Sequence, residues 1–274
     1  MGTFIKRSLS IMLCGVMLFS FGCKSSKNEQ SNEFRVGMEC GYAPFNWTQN
    51  DDSNGGVAIE GGGYAGGYDV EIAKKLAQGL GKELVIVKTE WGGLPPALTS
   101  GKIDAIIAGM SATKDRQMTI DFSDNYYTSD LVVVVKKDGT YANAKTLNDF
   151  AGAKITGQLG TLHYDVIDQM AGVEKQTALD NFPTMIVALS SGTIDGYVSE
   201  RPGALSAVAS NPELTFIEFE SGQGFDFDGL EVSIAVGLIK DSPLKEDINK
   251  ILKDLSEQER TEIMDLAVKN QPAS

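Results

Sequence analysis

The chain has 274 residues, of which 42% are hydrophobic and 22% are charged, as in an ordinary globular protein. This length is sufficient for two domains, each with its own core. The net charge of −13 argues against nucleic acid as a partner, because phosphate binding requires clustered lysine and arginine.

The first segment predicts export from the cytoplasm. Residues 1–22 have the basic start and short apolar core (Leu9 to Phe21) of a signal peptide, and this core is too short to span a bilayer. Gly22 before Cys23 resembles the lipobox of bacterial lipoproteins, so we expect Cys23 to carry a membrane-anchoring lipid. Ordinary cleavage nearby, which would leave a soluble protein, is the alternative. Residues 23–33 are polar and predict a flexible tether.

The cysteines predict neither a disulfide nor a metal site. Cys14 lies in the signal peptide and Cys23 at the predicted lipid site, which leaves only Cys40 in the folded part. No spacing of histidine and cysteine suggests a metal, and no residue set suggests catalysis or a bound cofactor.

Strand-like and helix-like segments alternate from Phe34 onward, which predicts parallel sheets covered by helices. The predicted strands are Phe34–Met38, Leu84–Val87, Asp104–Ala108, Leu131–Val135, Ala153–Thr156, Asp195–Val198, Leu214–Phe219 and Val232–Val236. The predicted helices are Asp69–Leu80, Leu94–Ser100, Leu162–Met170, Pro183–Ser191, Arg201–Ala209, Leu244–Leu255 and Glu257–Val268.

An acid and several aromatic residues follow the first strand. Glu39 lies just past the strand end, Tyr42 and Trp47 lie in turns, and Tyr68 begins the first helix. Aromatic side chains in such places can stack on a ligand or bind a cation by its charge. Core packing is the alternative, and it is the stronger interpretation for Phe45 and Trp91.

One internal repeat indicates two lobes of similar design. The segment Ala97–Ala105 (ALTSGKIDA) recurs as Ala188–Gly196 (ALSSGTIDG). In each copy a helix ends, glycine supplies the turn, isoleucine turns inward and aspartate opens a strand. Ligands of open parallel sheets bind beyond the carboxyl ends of the strands, so the residues after each copy are candidate ligand contacts.

After the first copy come Gly109, Ser111, Thr113 and Arg116. Arg116 offers a planar guanidinium suited to a carboxylate, on a short helix that Thr113 can cap. Together with the Ser111 hydroxyl and the Gly109 backbone, this set fits the charged end of an amino acid. A surface ion pair of Arg116 with Asp115 or Asp121 is an equal alternative.

The second half offers a complementary set. Gly160 and Thr161 follow a strand and open a helix, where free N–H groups attract anions. Glu200 follows the second copy of the repeat and suits a ligand ammonium. The alternatives are a plain turn for the first pair and a helix-end charge for Glu200. His163, the only histidine, is expected to face solvent.

These residues resemble family 3 of the bacterial extracellular solute-binding proteins, the polar amino-acid receptors of ABC importers. The resemblance covers about Phe34 to Lys269 and lies in GYAPFNW, GGYDVEIAKKLAQGLGKELVIV, WGGLPPALTSGKIDAIIAGMSATKDRQMTIDFSDNYY and SGTIDGYVSE. The family's pattern implies these roles: carboxylate binding by Arg116, strand-end contacts by Gly109 and Ser111, stacking by Tyr42 and Tyr68, second-lobe amide and hydroxyl contacts by Gly160 and Thr161, ammonium binding by Glu200, and a side-chain contact by Glu39.

Two departures from the family pattern bear on specificity. Glu39 and Glu200 are longer than the usual aspartates, which implies a reshaped pocket. The segment 49–63 is inserted between Tyr42 and Tyr68, where it would form either a lid over the cleft or a disordered surface loop.

The resemblance implies a two-lobed α/β periplasmic-binding-protein fold of type II. Lobe one would comprise residues 34–125 plus 222–271, and lobe two residues 131–220, with hinges near 126–130 and 218–222. Hinge closure around a free L-amino acid, followed by docking on a membrane permease, is the implied mechanism. We expect a monomer that contacts the membrane only through its lipid.

The acids favour a basic ligand such as arginine or lysine, while glutamine, asparagine and histidine stay open. Two other classes of function remain as alternatives. One is an enzyme of the same fold similar to cyclohexadienyl dehydratases, and the other is a lipoprotein sensor that binds without transport.

Overall fold

The computed structural model describes residues 32–227 and 232–272. The predicted signal peptide, Cys23 and most of the tether lie outside the described residues. The strands are β1 (Glu33–Met38), β2 (Gly41–Tyr42), β3 (Asn46–Gln49), β4 (Val57–Ala58), β5 (Tyr64–Gly66), β6 (Glu83–Lys88), β7 (Ala105–Ile106), β8 (Asp121–Tyr127), β9 (Leu131–Lys136), β10 (Lys154–Thr156), β11 (Glu174–Lys175), β12 (Gly196–Glu200), β13 (Leu214–Ile217) and β14 (Ile234–Leu238). The helices are α1 (Tyr68–Gly79), α2 (Leu94–Thr99), α3 (Lys114–Gln117), α4 (Leu162–Asp165), α5 (Phe182–Ser191), α6 (Arg201–Ser210), α7 (Lys245–Asp254) and α8 (Glu257–Asn270).

Two five-stranded sheets organise the described part of the chain. The first has the order β6-β1-β7-β14-β8, and the second has the order β11-β10-β12-β9-β13. We call the first sheet with β2 to β5, α1, α2, α3, α7 and α8 lobe 1, and the second sheet with α4, α5 and α6 lobe 2. The chain passes from lobe 1 to lobe 2 between the end of β8 at Tyr127 and the start of β9 at Leu131.

The expectation of purely parallel sheets is wrong for one strand position in each lobe. β1 is parallel to β6 and β7, but β14 is antiparallel to β7 and β8. In lobe 2, β10 is parallel to β11 and β12, whereas β9 is antiparallel to β12 and β13. Both exceptional strands enter their sheet directly from the other lobe, without the crossover helix that makes neighbouring strands parallel.

The core explains why β9 is a continuous apolar run. Val132 and Val134 belong to the large cluster shared by both lobes, while Leu131, Val133 and Val135 belong to a second cluster on the other face of the sheet. All five are at most 5% exposed. A strand buried on both faces needs apolar residues at every position, because successive side chains point to opposite faces.

The internal repeat occupies the same place in each lobe. Gly101 and Gly192 have φ of 74° and 79°, the left-handed conformation in which a helix turns into the next strand. The Asp104 carboxylate accepts a hydrogen bond from the backbone N–H of Arg35 at 2.8 Å. The Asp195 carboxylate accepts one from Lys154 at the same distance. Each aspartate therefore ties its strand to the start of the first parallel strand of its own sheet.

The inserted segment 49–63 is neither a lid nor a disordered loop. It runs through a short 3-10 helix (Ser53–Gly55) and β4, and then returns as β5 in a small sheet of order β2-β3-β5-β4. Ile59 is 5% exposed and bridges Ile86 of β6. The insertion thus covers the edge of the lobe 1 sheet, an edge whose unpaired backbone groups would otherwise be available to other strands.

The sequence predicted eight strands and seven helices that all recur within a few residues. The expected helix Leu162–Met170 is divided into α4 and a 3-10 turn (Val166–Gln169). The strands β8 and β11 and the small sheet were not predicted. β8 reads DFSDNYY, in which polar residues interrupt the apolar pattern that identifies a strand.

Candidate functional site

Five of the predicted contacts, Tyr42, Gly109, Ser111, Arg116 and Thr161, meet where the strand ends of the two lobes face each other. We call this place the central site; its walls are formed by Tyr42, Trp91, Gly109, Ser111, Arg116, Gln158, Thr161, Leu162 and His163. The space between these side chains is only about 10 Å³. The lobes are therefore in contact, and a molecule the size of an amino acid requires these side chains to separate.

Arg116 is the cation of the site. It lies on α3, whose N-cap Thr113 accepts a hydrogen bond from the Arg116 backbone N–H, as expected from the sequence. Its guanidinium donates to the Ser111 carbonyl at 2.8 Å and, across the cleft, to the Gly160 carbonyl at 2.9 Å. Burial lowers the pKa of Arg116 to about 10. A carboxylate would be a stronger acceptor than these two carbonyls.

The alternative interpretation of Arg116 as half of a surface ion pair is not supported. Among the described residues, no carboxylate lies within ion-pair distance of its guanidinium. Asp121, one of the suggested partners, instead accepts from Lys240 at 2.9 Å. A half-buried guanidinium bonded only to carbonyls is a candidate anion site.

Trp91 contacts the same guanidinium, which corrects the expectation that it packs in the core. The Arg116 guanidinium carbon lies 5.0 Å from the centre of the Trp91 ring, and the indole N–H points to the Gly160 carbonyl at 3.4 Å. Trp91 follows the end of β6 and precedes α2. Ligands of open parallel sheets bind beyond the ends of the strands, and Trp91 lies just beyond the end of β6. Its position therefore already made it a candidate ligand contact, but it was assigned to the core on residue type alone.

Glu200 is the anion directly behind the wall of the site, where it contacts the lining residues Tyr42 and His163. It ends β12, is 4% exposed, and accepts a hydrogen bond from the Tyr42 hydroxyl of lobe 1. Burial alone raises the pKa of Glu200, but the charge of His163 and the hydrogen bonds it accepts hold the pKa below its usual range. The carboxylate therefore stays ionised inside the protein, as a partner for a cation must.

His163 was expected to face solvent, and this is wrong. It is 6% exposed, and its Nε2 lies 2.8 Å from the Glu200 carboxylate. The edge of its ring packs against Phe182 at 5.6 Å. α4 is a short helix with its second residue turned toward β12, a direction that helical periodicity over four residues cannot reveal.

Glu39 lies at another wall of the cleft and is 9% exposed. Gln158 of lobe 2 donates to both of its carboxylate oxygens at 3.2 Å and to the Asp180 carbonyl at 3.0 Å. Burial raises the pKa of Glu39 to about 7, and Glu90 adds to this effect. A positive group beside Glu39 would therefore be bound more tightly by the ionised carboxylate than by the protonated one.

The cleft widens beside the central site into a cavity of about 610 Å³. Its wall shares Trp91 and Arg116 with the central site and includes the acidic residues Glu90 and Asp180. This end of the cleft is therefore acidic, whereas Arg116 supplies the positive charge nearby. The arrangement fits an elongated molecule with an anionic end and a cationic end.

Gly109 and Ser111 lie where the sequence places them, at the end of β7, and both border the central site. Gly109 has φ of 61°, and a Cβ there would lie 3.1 Å from the Tyr42 ring, so glycine is required. Its N–H is donated to the Tyr126 hydroxyl at 3.2 Å, so that group is already engaged. The Tyr126 hydroxyl in turn donates to buried Asp69 at 2.7 Å, which fixes the strand end to α1.

Gly160 and Thr161 also border the cleft. Gly160 has φ of 69°, and its carbonyl accepts from Arg116 and Trp91. The Thr161 hydroxyl donates to the Gln158 carbonyl at 2.7 Å. Since α4 has only four residues, its start has little of the dipole that was expected to attract an anion.

The structure corrects the predicted stacking role of three aromatic residues. Tyr68 is fully buried inside lobe 1, and its hydroxyl donates to the Tyr126 carbonyl at 2.9 Å. Trp47 donates to the Gln49 side chain and packs on Gly66, away from the central site. Tyr42 borders the site, but both faces of its ring are covered, by Phe45 at 5.0 Å and Phe182 at 4.2 Å. Only its edge and hydroxyl face the site.

The described residues contain no group of three or more His, Cys, Asp or Glu arranged to hold a metal ion. No helix in the part of the chain that the structure describes has the length and apolarity of a bilayer span. Cys23, the predicted lipid site, lies outside the described residues.

Comparison with known proteins gives the context of this site. A model of the bacterial extracellular solute-binding proteins, family 3, matches residues 34–266. A probable histidine-binding protein of Campylobacter jejuni is 34% identical over 220 residues, covering 77% of this chain and 80% of the relative. The arginine-binding extracellular protein ArtP of Bacillus subtilis is 26% identical over 92% of this chain and 94% of its own.

Solved structures agree with these relatives. The amino-acid ABC transporter substrate-binding protein AbpA of Streptococcus pneumoniae, bound to L-arginine, superposes with a TM-score of 0.73 at 28% identity. It covers 87% of this chain and 95% of its own. This likeness confirms the predicted two-lobed α/β fold. The chain belongs to the bacterial extracellular solute-binding proteins of family 3, and it is an extracytoplasmic protein of that family.

Proposed function

We propose that this protein captures a free L-amino acid between its two lobes and delivers it to the permease of an ABC importer. The observation that carries the proposal is a pair of opposite charges at the central site, with Arg116 in its wall and Glu200 directly behind Tyr42 and His163. Arg116 of lobe 1 is half-buried without a carboxylate partner, and Glu200 of lobe 2 is buried as an ionised acid. A zwitterion presents one partner for each, and burying it is favourable only when both charges are matched.

Closure follows from the division of these partners between the lobes. Arg116 and Trp91 hold the carboxylate end from lobe 1, and lobe 2 then brings Glu200 to the ammonium. The ligand stabilises the closed form because only the closed form satisfies both of its charges. The cross-lobe bonds from Arg116 to Gly160 and from Gln158 to Glu39 add to the same state.

A basic amino acid is the ligand that the acidic end of the cleft favours. Glu39 is buried with a raised pKa, and Glu90 and Asp180 border the adjoining cavity. A guanidinium, ammonium or imidazolium there would offset this negative charge. Relatives that bind arginine and histidine support the same choice.

A thermal-shift screen of the purified chain against the twenty amino acids tests the proposal. We expect arginine, lysine or histidine to give the largest increase in melting temperature, since a ligand stabilises the form that it binds. Calorimetry then gives the affinity and a stoichiometry of one. A shift with glutamine that exceeds all basic amino acids would contradict the basic preference alone, and the absence of any shift would contradict amino-acid capture.

We also propose that Cys23 carries a lipid, that residues 23–33 tether the fold to the membrane, and that the protein acts as a monomer without catalysing a reaction. The support is the sequence of the first segment and the solute-binding relatives. Cys23→Ser is expected to release the protein from the membrane fraction, with mass spectrometry of the N-terminal peptide as the measurement. Incubation with prephenate or arogenate is expected to leave both compounds unchanged.

A further inference from the structure

The single histidine of the chain lies beside the acid that the proposed function assigns to the ligand ammonium. His163 borders the central site, and its Nε2 is 2.8 Å from Oε2 of Glu200. Nε2 has no hydrogen-bond partner of acceptable geometry among the described residues. A buried ring nitrogen that lies beside a charged group but makes no hydrogen bond needs an explanation, which is often a functional role.

The neighbouring hydroxyl determines where one ring proton lies. Thr161 Oγ1 donates its only hydrogen to the Gln158 carbonyl at 2.7 Å. Nδ1 of His163 lies 3.3 Å from the same Oγ1. Since this oxygen can only accept toward the ring, Nδ1 must carry the hydrogen. A neutral ring would then present a bare lone pair at Nε2.

A bare Nε2 is incompatible with its surroundings. It would face a carboxylate oxygen at 2.8 Å, so two acceptors would be in contact inside the protein. The Tyr42 hydroxyl, the other group at this oxygen, already donates to it. A second proton on His163 removes the conflict, because an imidazolium beside a carboxylate is an ion pair.

We propose that the second proton of His163 and the ammonium of the ligand are alternative partners of Glu200, so that an amino acid binds with release of this proton to solvent. The inference rests on the proposed function. With the proton retained, the ligand's ammonium would be added to an acid whose charge is already matched. With the proton released, the carboxylate–Arg116 and ammonium–Glu200 pairs are both neutral overall, as burial requires.

The other groups around the ring do not supply an alternative acceptor for its proton. Phe182 is apolar and meets the ring edge-on. Thr161 Oγ1 is the acceptor for Nδ1 and not for Nε2, and the Tyr42 hydroxyl donates to the same Glu200 oxygen that Nε2 faces. Arg116 borders the same site and is a cation, while buried Asp69 acts on Glu200 only through its field. Glu200 is therefore the acid that sets the protonation of His163.

This role makes His163 a determinant of specificity for ligands that have an α-ammonium. Affinity for an amino acid is expected to fall about tenfold for each unit by which the pH is lowered, over the range in which the ligand-free protein holds the extra proton, because binding must release that proton. The analogue 5-guanidinopentanoate has the carboxylate and guanidinium of arginine but no ammonium. It is expected to bind without displacing the proton.

Nuclear magnetic resonance of the full chain labelled with ¹⁵N-histidine tests the proposal directly, because one histidine gives one pair of ring signals. At pH 6.0 we expect the ligand-free protein to show both ring nitrogens protonated. Saturation with L-arginine should convert Nε2 to the unprotonated shift, while 5-guanidinopentanoate should leave it unchanged. If the screen identifies a different amino acid, that compound and its deamino analogue form the same pair.

Each other outcome has a distinct meaning. A neutral ring in the ligand-free protein, or a ring still doubly protonated when an amino acid is bound, overturns the role of His163 and leaves amino-acid capture intact. Failure of all twenty amino acids to bind contradicts the proposed function and this inference with it.

Calorimetry in two buffers of different ionisation enthalpy counts the released protons. Glu39 also exchanges a proton in this range, so the count is made in the Glu39→Gln variant. About one proton per ligand is expected with His163 present at pH 6.0, and none in the double variant that adds His163→Gln. Equal counts in the two proteins would contradict the inference, and circular dichroism verifies that both are folded.

Discussion

Lobe 1 and lobe 2 place equivalent strands alike: three parallel strands (β6-β1-β7 and β11-β10-β12) are followed by the strand that enters from the other lobe (β14 and β9). The repeat beginning at Ala97 and Ala188 occupies the same position in each. Beyond the ends of equivalent strands, however, lobe 1 has a positive side chain and lobe 2 has a negative one. The strand β7 leads to Arg116, whose guanidinium is bonded to carbonyls, and β12 ends at Glu200, whose charge is balanced by His163. A duplicated scaffold thus holds two different binding surfaces, because the scaffold is determined by the repeat and the chemistry by the residues after it.

The largest effect is expected from removing the cation of lobe 1. Arg116→Ala should weaken amino-acid binding at least 100-fold, since the ligand carboxylate would be buried without its charge partner, a loss of about 3 kcal/mol or more. Calorimetry measures the affinity. Arg35→Ala is the matched control, because Arg35 lies in the same lobe near the start of β1 and pairs with Glu33 and Glu60. Similar affinities in the two variants would place the carboxylate elsewhere.

The two tryptophans of the chain test which part of lobe 1 belongs to the site. Trp91→Ala is expected to weaken binding about 10- to 100-fold, because the ring contacts the Arg116 guanidinium and closes the cleft. Trp47→Ala should instead lower the free energy of unfolding by about 3 kcal/mol, the cost of removing a large buried ring.

Affinity by calorimetry and stability by urea unfolding, measured on both tryptophan variants, separate the two roles. A larger loss of affinity in Trp47→Ala than in Trp91→Ala would mean that Trp47, and not Trp91, belongs to the ligand site.

Glu39 makes stability decrease as pH rises, the direction opposite to that expected from the lowered pKa of Glu200. Its pKa is raised from 4.5 to about 7 in the folded protein. Between these values the folded state holds more protons than the unfolded state, so stability decreases as pH rises, by about 3 kcal/mol at most. Glu39→Gln should remove this part of the slope while the buried Asp69, with a pKa of about 6, keeps its own.

Urea unfolding of wild type and Glu39→Gln between pH 5 and pH 8 measures the difference. The same variant should bind basic amino acids about tenfold more weakly at pH 8 and neutral ones nearly unchanged. Identical pH slopes in the two proteins would show that Glu39 ionises normally.

The smallest effect is expected from removing the aspartate in each copy of the internal repeat. Asp104→Ala and Asp195→Ala each remove one carboxylate bond to a backbone N–H, in lobe 1 and lobe 2 respectively. We expect both to lower the free energy of unfolding by about 1 to 2 kcal/mol, with little change in affinity. Chemical denaturation measures this. A large loss of stability from one aspartate and none from the other would show that the two lobes differ in construction.

The fold could be anticipated in large part because its signals are local. Apolar runs such as Leu131–Val135, the glycines at 101 and 192, and the N-cap Thr113 act within a few residues of themselves. The antiparallel placement of β9 and β14 could not be anticipated, since it depends on where the chain crosses between the lobes. The signal peptide, the lipid site and the lobe boundaries at residues 125, 131, 220 and 222 stay predictions.

Residue type alone was informative about the candidate site mainly where the side chain is charged. Arg116, Glu200 and Glu39 are costly to bury, so their place after a strand already indicated a cleft. Aromatic residues give no such indication. Tyr68 and Trp47 were predicted to contact the ligand but lie in the interior. Trp91 was predicted to lie in the interior but borders the cleft. An aromatic ring is compatible with either environment, so its residue type does not distinguish them.

The sequence by itself determined that the chain has two α/β lobes, that an arginine and an acid follow equivalent strands, and that the charges are of opposite sign. Only the tertiary structure decided which residues the two acids, Glu200 and Glu39, contact. Tyr42 of lobe 1 meets Glu200 of lobe 2, and Gln158 meets Glu39 across the cleft. His163 is brought to Glu200 within lobe 2. The physical reason is that these contacts join residues far apart in the chain, where periodicity and propensity carry no information.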